Sequence, residues 1–77
     1  MEISIKYFGQ IAEVTQINEE YIEFSGHDVS ELLCVLHSKY ENLKHKDFQV
    51  AQNQELVSED TKITGETIAL LPPFSGG

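Results

Sequence analysis

The sequence predicts an α+β fold in two layers, one amphipathic helix packed on one face of a mixed sheet of four or five strands. Three observations carry this. Ile3, Ile5 and Tyr7 alternate with Glu2, Ser4 and Lys6, the period of a strand with one wet face. A single well-capped apolar stripe of helical spacing runs through Val29, Leu32, Leu33, Leu36 and Tyr40. Short apolar runs separated by turn residues follow it, the last being Ile68-Ala69-Leu70-Leu71. One helix can cover one face of a sheet, so the layers are two.

Each element has a local reason. After the first strand, Phe8 falls in the polar series of the alternation, which places a large apolar ring on the outer face. Gly9 is followed by a short amphipathic piece over 10–16, with Ile11 and Val14 as its apolar positions. A second strand is expected over 20–24, where Tyr21 or Ile22 together with Phe24 sets the inward side. Asp28 is a good N-cap, and Glu31 three residues on gives the capping-box spacing. The helix it starts should end near Glu41 or Asn42, leaving 42–47 as a polar connection. Strands are expected over 48–51 and 55–57 around an Asn53-Gln54 turn, and a Gly65-Glu66 turn precedes the final strand. A helix lying across a curled sheet in this element order is the β-grasp, or ubiquitin-like, arrangement.

Seventy-seven residues make one domain near the lower limit for folding without staples. The organisation expected is a β-grasp domain over 1–71 and an extended tail over 72–77. The single cysteine, Cys34, has no intramolecular disulfide partner and is expected as a small buried or half-buried side chain of the helix. No N-terminal apolar run resembles a signal peptide or membrane span, so a cytoplasmic protein is expected. The net charge is −8, with no arginine. Phosphate contacts demand basic residues, so nucleic acid is excluded as a partner. The basic cluster Lys39, Lys44, His45 and Lys46 is accounted for by the dipole at the end of the helix.

The most informative segment is the last. Pro72 and Pro73 stop the final strand, because neither can donate to a ladder. Phe74, Ser75, Gly76 and Gly77 complete an end in which no side chain from Thr67 to Ser75 is charged, although the chain is markedly acidic. Such a slim, uncharged end suits entry into a narrow pocket, with the terminal carboxylate as working group. His27, His37 and His45 have no metal-ligand spacing, so no metal site is expected. A glycine-rich phosphate loop is absent, so ATP is not expected to bind this chain. Ser75 lacks a base-and-orienter arrangement and is not read as a nucleophile.

Tyr7-Phe8-Gly9-Gln10, the capped helix, the segment Val50-Ala51-Gln52-Asn53-Gln54-Glu55-Leu56-Val57 and the ending Leu70-Leu71-Pro72-Pro73-Phe74-Ser75-Gly76-Gly77 together resemble the molybdopterin synthase small subunits, ubiquitin-like sulfur carriers. The Pro-Pro-x-Ser/Thr-Gly-Gly ending is the specific part. Two places depart from the pattern: Lys62 stands where an aliphatic residue is common, with Ile63 one position later, and Phe74 replaces a smaller aliphatic.

The resemblance implies a mechanism. A ubiquitin-activating-type enzyme would use ATP to convert the Gly77 carboxylate to an acyl-adenylate, and a sulfur donor would displace the nucleotide to leave a thiocarboxylate. That group would deliver sulfur to a pterin precursor inside a large subunit, in an assembly of two large and two small subunits. Gly76 would fit the narrow approach, and Pro72 and Pro73 would hold the stalk extended and away from the sheet. Phe8, Leu56 and Leu71 match family positions that pack on the large subunit, joined there by the tail residues Pro72, Pro73, Phe74 and Ser75. Other β-grasp sulfur carriers, for thiamine or tRNA thiolation, and ubiquitin-like protein modifiers share the terminal glycines and stand as alternatives.

Overall fold

A computed structural model describes residues 1–64 and 67–73. The expected Gly65-Glu66 turn and the tail residues Phe74, Ser75, Gly76 and Gly77 lie outside the described residues. In chain order the elements are β1 (Glu2–Tyr7), α1 (Gln10–Thr15), β2 (Glu19–Glu23), α2 (Val29–Lys39), a 3-10 segment (Glu41–His45), β3 (Gln49–Gln52), β4 (Glu55–Val57) and β5 (Ile68–Leu71). The five strands form one sheet in the order β2-β1-β5-β3-β4. β1 and β5 run parallel at its centre, and every other pair is antiparallel. This is the β-grasp arrangement that the element order predicts.

Helix α2 begins as its capping box dictates. The Asp28 carboxylate accepts the Glu31 amide at 3.1 Å, and the Glu31 carboxylate accepts the His27 and Asp28 amides in return. Val29, Leu32 and Leu36 are fully buried, and they meet Ile3, Ile5, Ile68 and Leu70 from the inner face of the sheet in one core cluster. Each such side chain taken out of water contributes about 1.5–3 kcal/mol before the entropy of ordering it is counted. β2 resolves the choice left open by its sequence: Ile22 turns inward, and Tyr21 is 65% exposed.

Several expectations are corrected. α2 ends at Lys39, short of Glu41, because Tyr40 leaves helical geometry to serve as its C-cap. The stretch 42–47 is not simply polar connection: Leu43 is fully buried and anchors the 3-10 segment on the core. Cys34 is exposed, not buried. It lies two positions past Leu32, which carries it about 200° round the helix and away from the apolar stripe. β2 and β3 are displaced by one residue from their expected ranges, to Glu19–Glu23 and Gln49–Gln52. The displacement of β3 places the buried Gln52 on the inner face beside Ile68. Gln52 stays satisfied because its amide donates to the Lys62 carbonyl at 3.1 Å and accepts the Thr64 amide at 3.0 Å. That pair of bonds also explains the Lys62 departure, since Ile63 between them fills the core place at 5% exposure.

The β3–β4 hairpin turns on Asn53 and Gln54, both with positive φ (54° and 68°). Two such residues in succession give the turn twist that matches a two-residue hairpin. At the other end of the sheet, β5 stops at Leu71, where the proline pair removes the next donors.

Candidate functional site

The outer face of the sheet is built from the residues that alternate with the core. Register places Lys6 beside Ala69, Ala69 opposite Ala51, and Ala51 opposite Leu56. One row therefore crosses four strands. The next row towards the tail pairs Leu71 with Gln49. Phe8 joins that end, because its amide continues the parallel ladder to the Leu70 carbonyl at 3.1 Å. Ala51 and Ala69 are small, so the centre of the face sinks into a shallow trough of about 270 Å³ with Phe8 and Lys6 on its wall.

Phe8 is 44% and Leu56 63% exposed, and Leu71 is half-buried. All three belong to this face; the strand alternation predicts it for Phe8 and Leu71, and for Leu56 the β3–β4 register shows it. They are not adjacent: three strand spacings, about 14 Å, separate the strand of Phe8 from that of Leu56. A face that carries Phe8, Leu56, Leu71, Ala51 and Ala69 among polar neighbours such as Lys6 and Gln49 suits a partner surface better than a small ligand. Ala51 and Ala69, which form its floor, were not legible as site residues because cross-strand register is not written in either strand alone.

Pro72 and Pro73 are half-buried at the tail end of the face. They contact the domain at the root of the tail, and the stalk that the resemblance has them hold away from the sheet, residues 74–77, lies outside the described residues. A Cβ placed on Gly9 would lie 2.7 Å from the Pro72 Cγ, and the Gln49 side-chain amide donates to the Pro73 carbonyl at 3.4 Å. The root of the tail thus rests on the β1–α1 turn and on β3. Phe74, Ser75, Gly76 and Gly77, assigned as the entering and reacting residues, lie outside the described residues.

Charge is organised elsewhere. On the inner side, the Glu20 carboxylate accepts from the Tyr7 and Tyr40 hydroxyls, each at 2.6 Å, and pairs with Lys39. Burial alone would push the Glu20 carboxyl up, but the Lys39 ammonium and the two hydroxyls outweigh it and hold it below the usual carboxylate range. Burial and the same carboxylate push the Tyr7 and Tyr40 hydroxyls up, and the carboxylate holds Lys39 above the ordinary lysine value. Lys39 is therefore drawn out of the basic cluster to tie α2 to β2. Among the described residues no group of three or more His, Cys, Asp or Glu is placed to hold a metal ion, and no helix is long and apolar enough to cross a membrane.

Comparisons with known proteins agree with this geometry. The model of the ThiS family matches residues 5–77. The molybdopterin synthase sulfur carrier subunit of Chlamydomonas reinhardtii is 32% identical over 83 residues, covering all of both chains. Among solved structures, the complex of subunits 1 and 2 of molybdopterin-converting factor from Helicobacter pylori contains a chain 30% identical to this one, with a TM-score of 0.73 and full coverage of both. SAMP1 from Haloferax volcanii superposes with a TM-score of 0.82 at 24% identity, again over the whole of both chains.

Proposed function

Because the chain belongs to the ThiS family, we propose that it is the sulfur-carrying small subunit of a molybdopterin synthase, with Gly77 as the atom-bearing residue. One observation carries this reading: a chain similar end to end to a molybdopterin synthase sulfur carrier subunit holds the root of its Gly-Gly tail beside an exposed apolar face. The relative from Helicobacter pylori was solved as a complex with its subunit 2. By that likeness, Phe8, Leu56 and Leu71 are the residues that would meet a large subunit here.

The chemistry asks little of this chain beyond presentation. A carboxylate is a poor electrophile. A separate adenylating enzyme would join a Gly77 oxygen to the α-phosphorus of ATP with release of pyrophosphate. A sulfur donor would then displace AMP at the carbonyl carbon, leaving the thiocarboxylate as an anionic nucleophile. Sulfur transfer inside the large subunit would return the Gly77 carboxylate for another round, and two rounds would complete a dithiolene. Proton transfers and substrate binding fall to the partner. Residues 74–77 can span about 13 Å, enough to reach a buried centre while the domain stays outside. In this reading two small subunits serve two large ones, in the cytoplasm, and the chain itself holds no cofactor.

The test is the mass of the tail peptide after incubation with ATP, a competent adenylating enzyme and a sulfur source. Exchange of oxygen for sulfur adds roughly 16 Da, the same as one oxidation, but no Met or Cys follows Leu71. A gain confined to that peptide and trapped by a thiol-alkylating reagent is the expected result. An unchanged peptide accompanied by isopeptide-linked lysines would replace the carrier by a protein modifier. Addition of one residue after Gly77 should abolish transfer and leave folding and docking intact; full activity of that variant without trimming would sink the mechanism.

A further inference from the structure

We propose that Gly9 and Gln49 are positioning residues that fix the direction in which the tail leaves the domain, measured against the Phe8 face. Gly9 has φ 55° and ψ −132°, a conformation essentially reserved for glycine. The absence of a side chain there is also what admits Pro72, whose Cγ would stand 2.7 Å from a Cβ at this position. The ring therefore seats against the turn backbone. On the other side of the tail root, Gln49 donates to the Pro73 carbonyl at 3.4 Å, a long and weak bond. Gly9 thus sets the seat, and Gln49 trims it.

The placement of this seat gives it a consequence. Phe8 and Gly9 are consecutive, so the turn that offers a ring to a partner also holds the base of the stalk. The Phe8 amide is itself bonded to the Leu70 carbonyl, two residues before Pro72. A partner that grips Phe8 grips the tail root through one peptide unit. A swing of about 25° at the root would move the end of a 13 Å span by roughly 6 Å. Misplacement of a reacting group by even about 1 Å can cost on the order of a hundredfold in rate. The effect on transfer rests on the carrier reading; the seat itself does not.

Two measurements test it. In the free chain, cross-relaxation between the Gly9 α-protons and the Pro72 ring, with Cα–Hα residual dipolar couplings at Pro72 and Pro73, reports the exit direction. In the assembled complex, affinity and single-turnover sulfur transfer are measured separately. Gly9→Ala is expected to reorient the Pro72 couplings and to slow transfer from the bound state by about tenfold or more, with affinity kept within about twofold. Pro72→Ala, which removes Cγ, should do the same more mildly, and Gly9→Ala with Pro72→Ala should transfer faster than Gly9→Ala alone. Gln49→Ala should cost about two- to threefold, and Gln49→Lys, which keeps a donor, should recover most of it.

Should Gly9→Ala fail to fold, Pro72→Ala and the Gln49 pair decide the matter. Couplings unchanged in Pro72→Ala, or transfer that falls only in proportion to affinity, would overturn the proposal. If the unsubstituted chain transfers no sulfur at all, the carrier reading fails, while the couplings still decide whether the seat exists.

Discussion

The two faces of this sheet are made from the same strands and serve opposite ends. On the inner face Ile3, Ile5, Ile68 and Leu70 are fully buried beneath α2. On the outer face their neighbours in sequence, Ser4, Lys6 and Ala69, are small or charged, and the large apolar groups Phe8 and Leu56 stand at its borders, open to solvent. Bulk is concentrated where it is removed from water on folding. The other face has its centre lowered and its rim raised, a shape that gains its burial only when something else arrives. The period of two thereby keeps the stabilising residues on one side and leaves the other free for the docking proposed above.

Breaking the inner face should have the largest effect. Leu36→Ala, from a fully buried site, is expected to cost about 2–5 kcal/mol in urea unfolding. The affinity of the fraction still folded should not change; a parallel loss of affinity would show the faces to be coupled. Phe8→Ala addresses the other side. It should weaken binding of the large subunit by about 2 kcal/mol, as truncation of an aromatic anchor does, with unfolding changed by well under half of that. Severe unfolding with unchanged affinity would make Phe8 part of the core. Asp28→Ala removes one arm of the capping box and should lower stability by about 1 kcal/mol with no effect on docking.

The smallest effect is read in pH. The Glu20 carboxyl is held below its ordinary range, so its contribution is complete above that range and lost as pH falls through the depressed value. Lys39 and Tyr7 are held above theirs, so their share is complete below the ordinary values and lost as pH rises through the raised ones. Glu20→Gln should flatten the acid side of the stability profile relative to the unsubstituted chain. An unchanged acid limb would mean that the cluster holds geometry without contributing stability.

How much of this was legible depended on whether the signal was local. The capping box, the alternation of β1, the Asn53 turn and the proline stop are each written within a few residues, and each appears where the sequence places it. Phe8 was legible for the same reason, as an apolar side chain out of phase with its strand. What escaped needed distant partners. Leu43 looks like a lone apolar residue in a polar stretch until the 3-10 segment folds it beneath the core. Cys34 was misjudged from its residue type, since its place two positions past Leu32 already turns it away from the apolar stripe. The seat of the stalk was invisible, since Gly9 and Pro72 stand 63 positions apart in the sequence and meet only through the parallel pairing of β1 with β5. The floor of the outer face is decided by the β3–β5 register, which sets Ala51 opposite Ala69. The tail residues Phe74 to Gly77 are read from their chemistry alone and lie outside the described residues.

The central place of β5 has a consequence for synthesis. It lies between β1 and β3, so until residues 68–71 have been made the sheet can exist only as two hairpins, each with a bare edge. Joining them closes a contact between the first strand and the last, a late and slow event for so short a chain. The tail is anchored directly to the strand that completes this closure. A nascent or truncated chain would then have neither a finished outer face nor an anchored root for its tail, so under the proposed carrier role a usable end would exist only on molecules that had already folded.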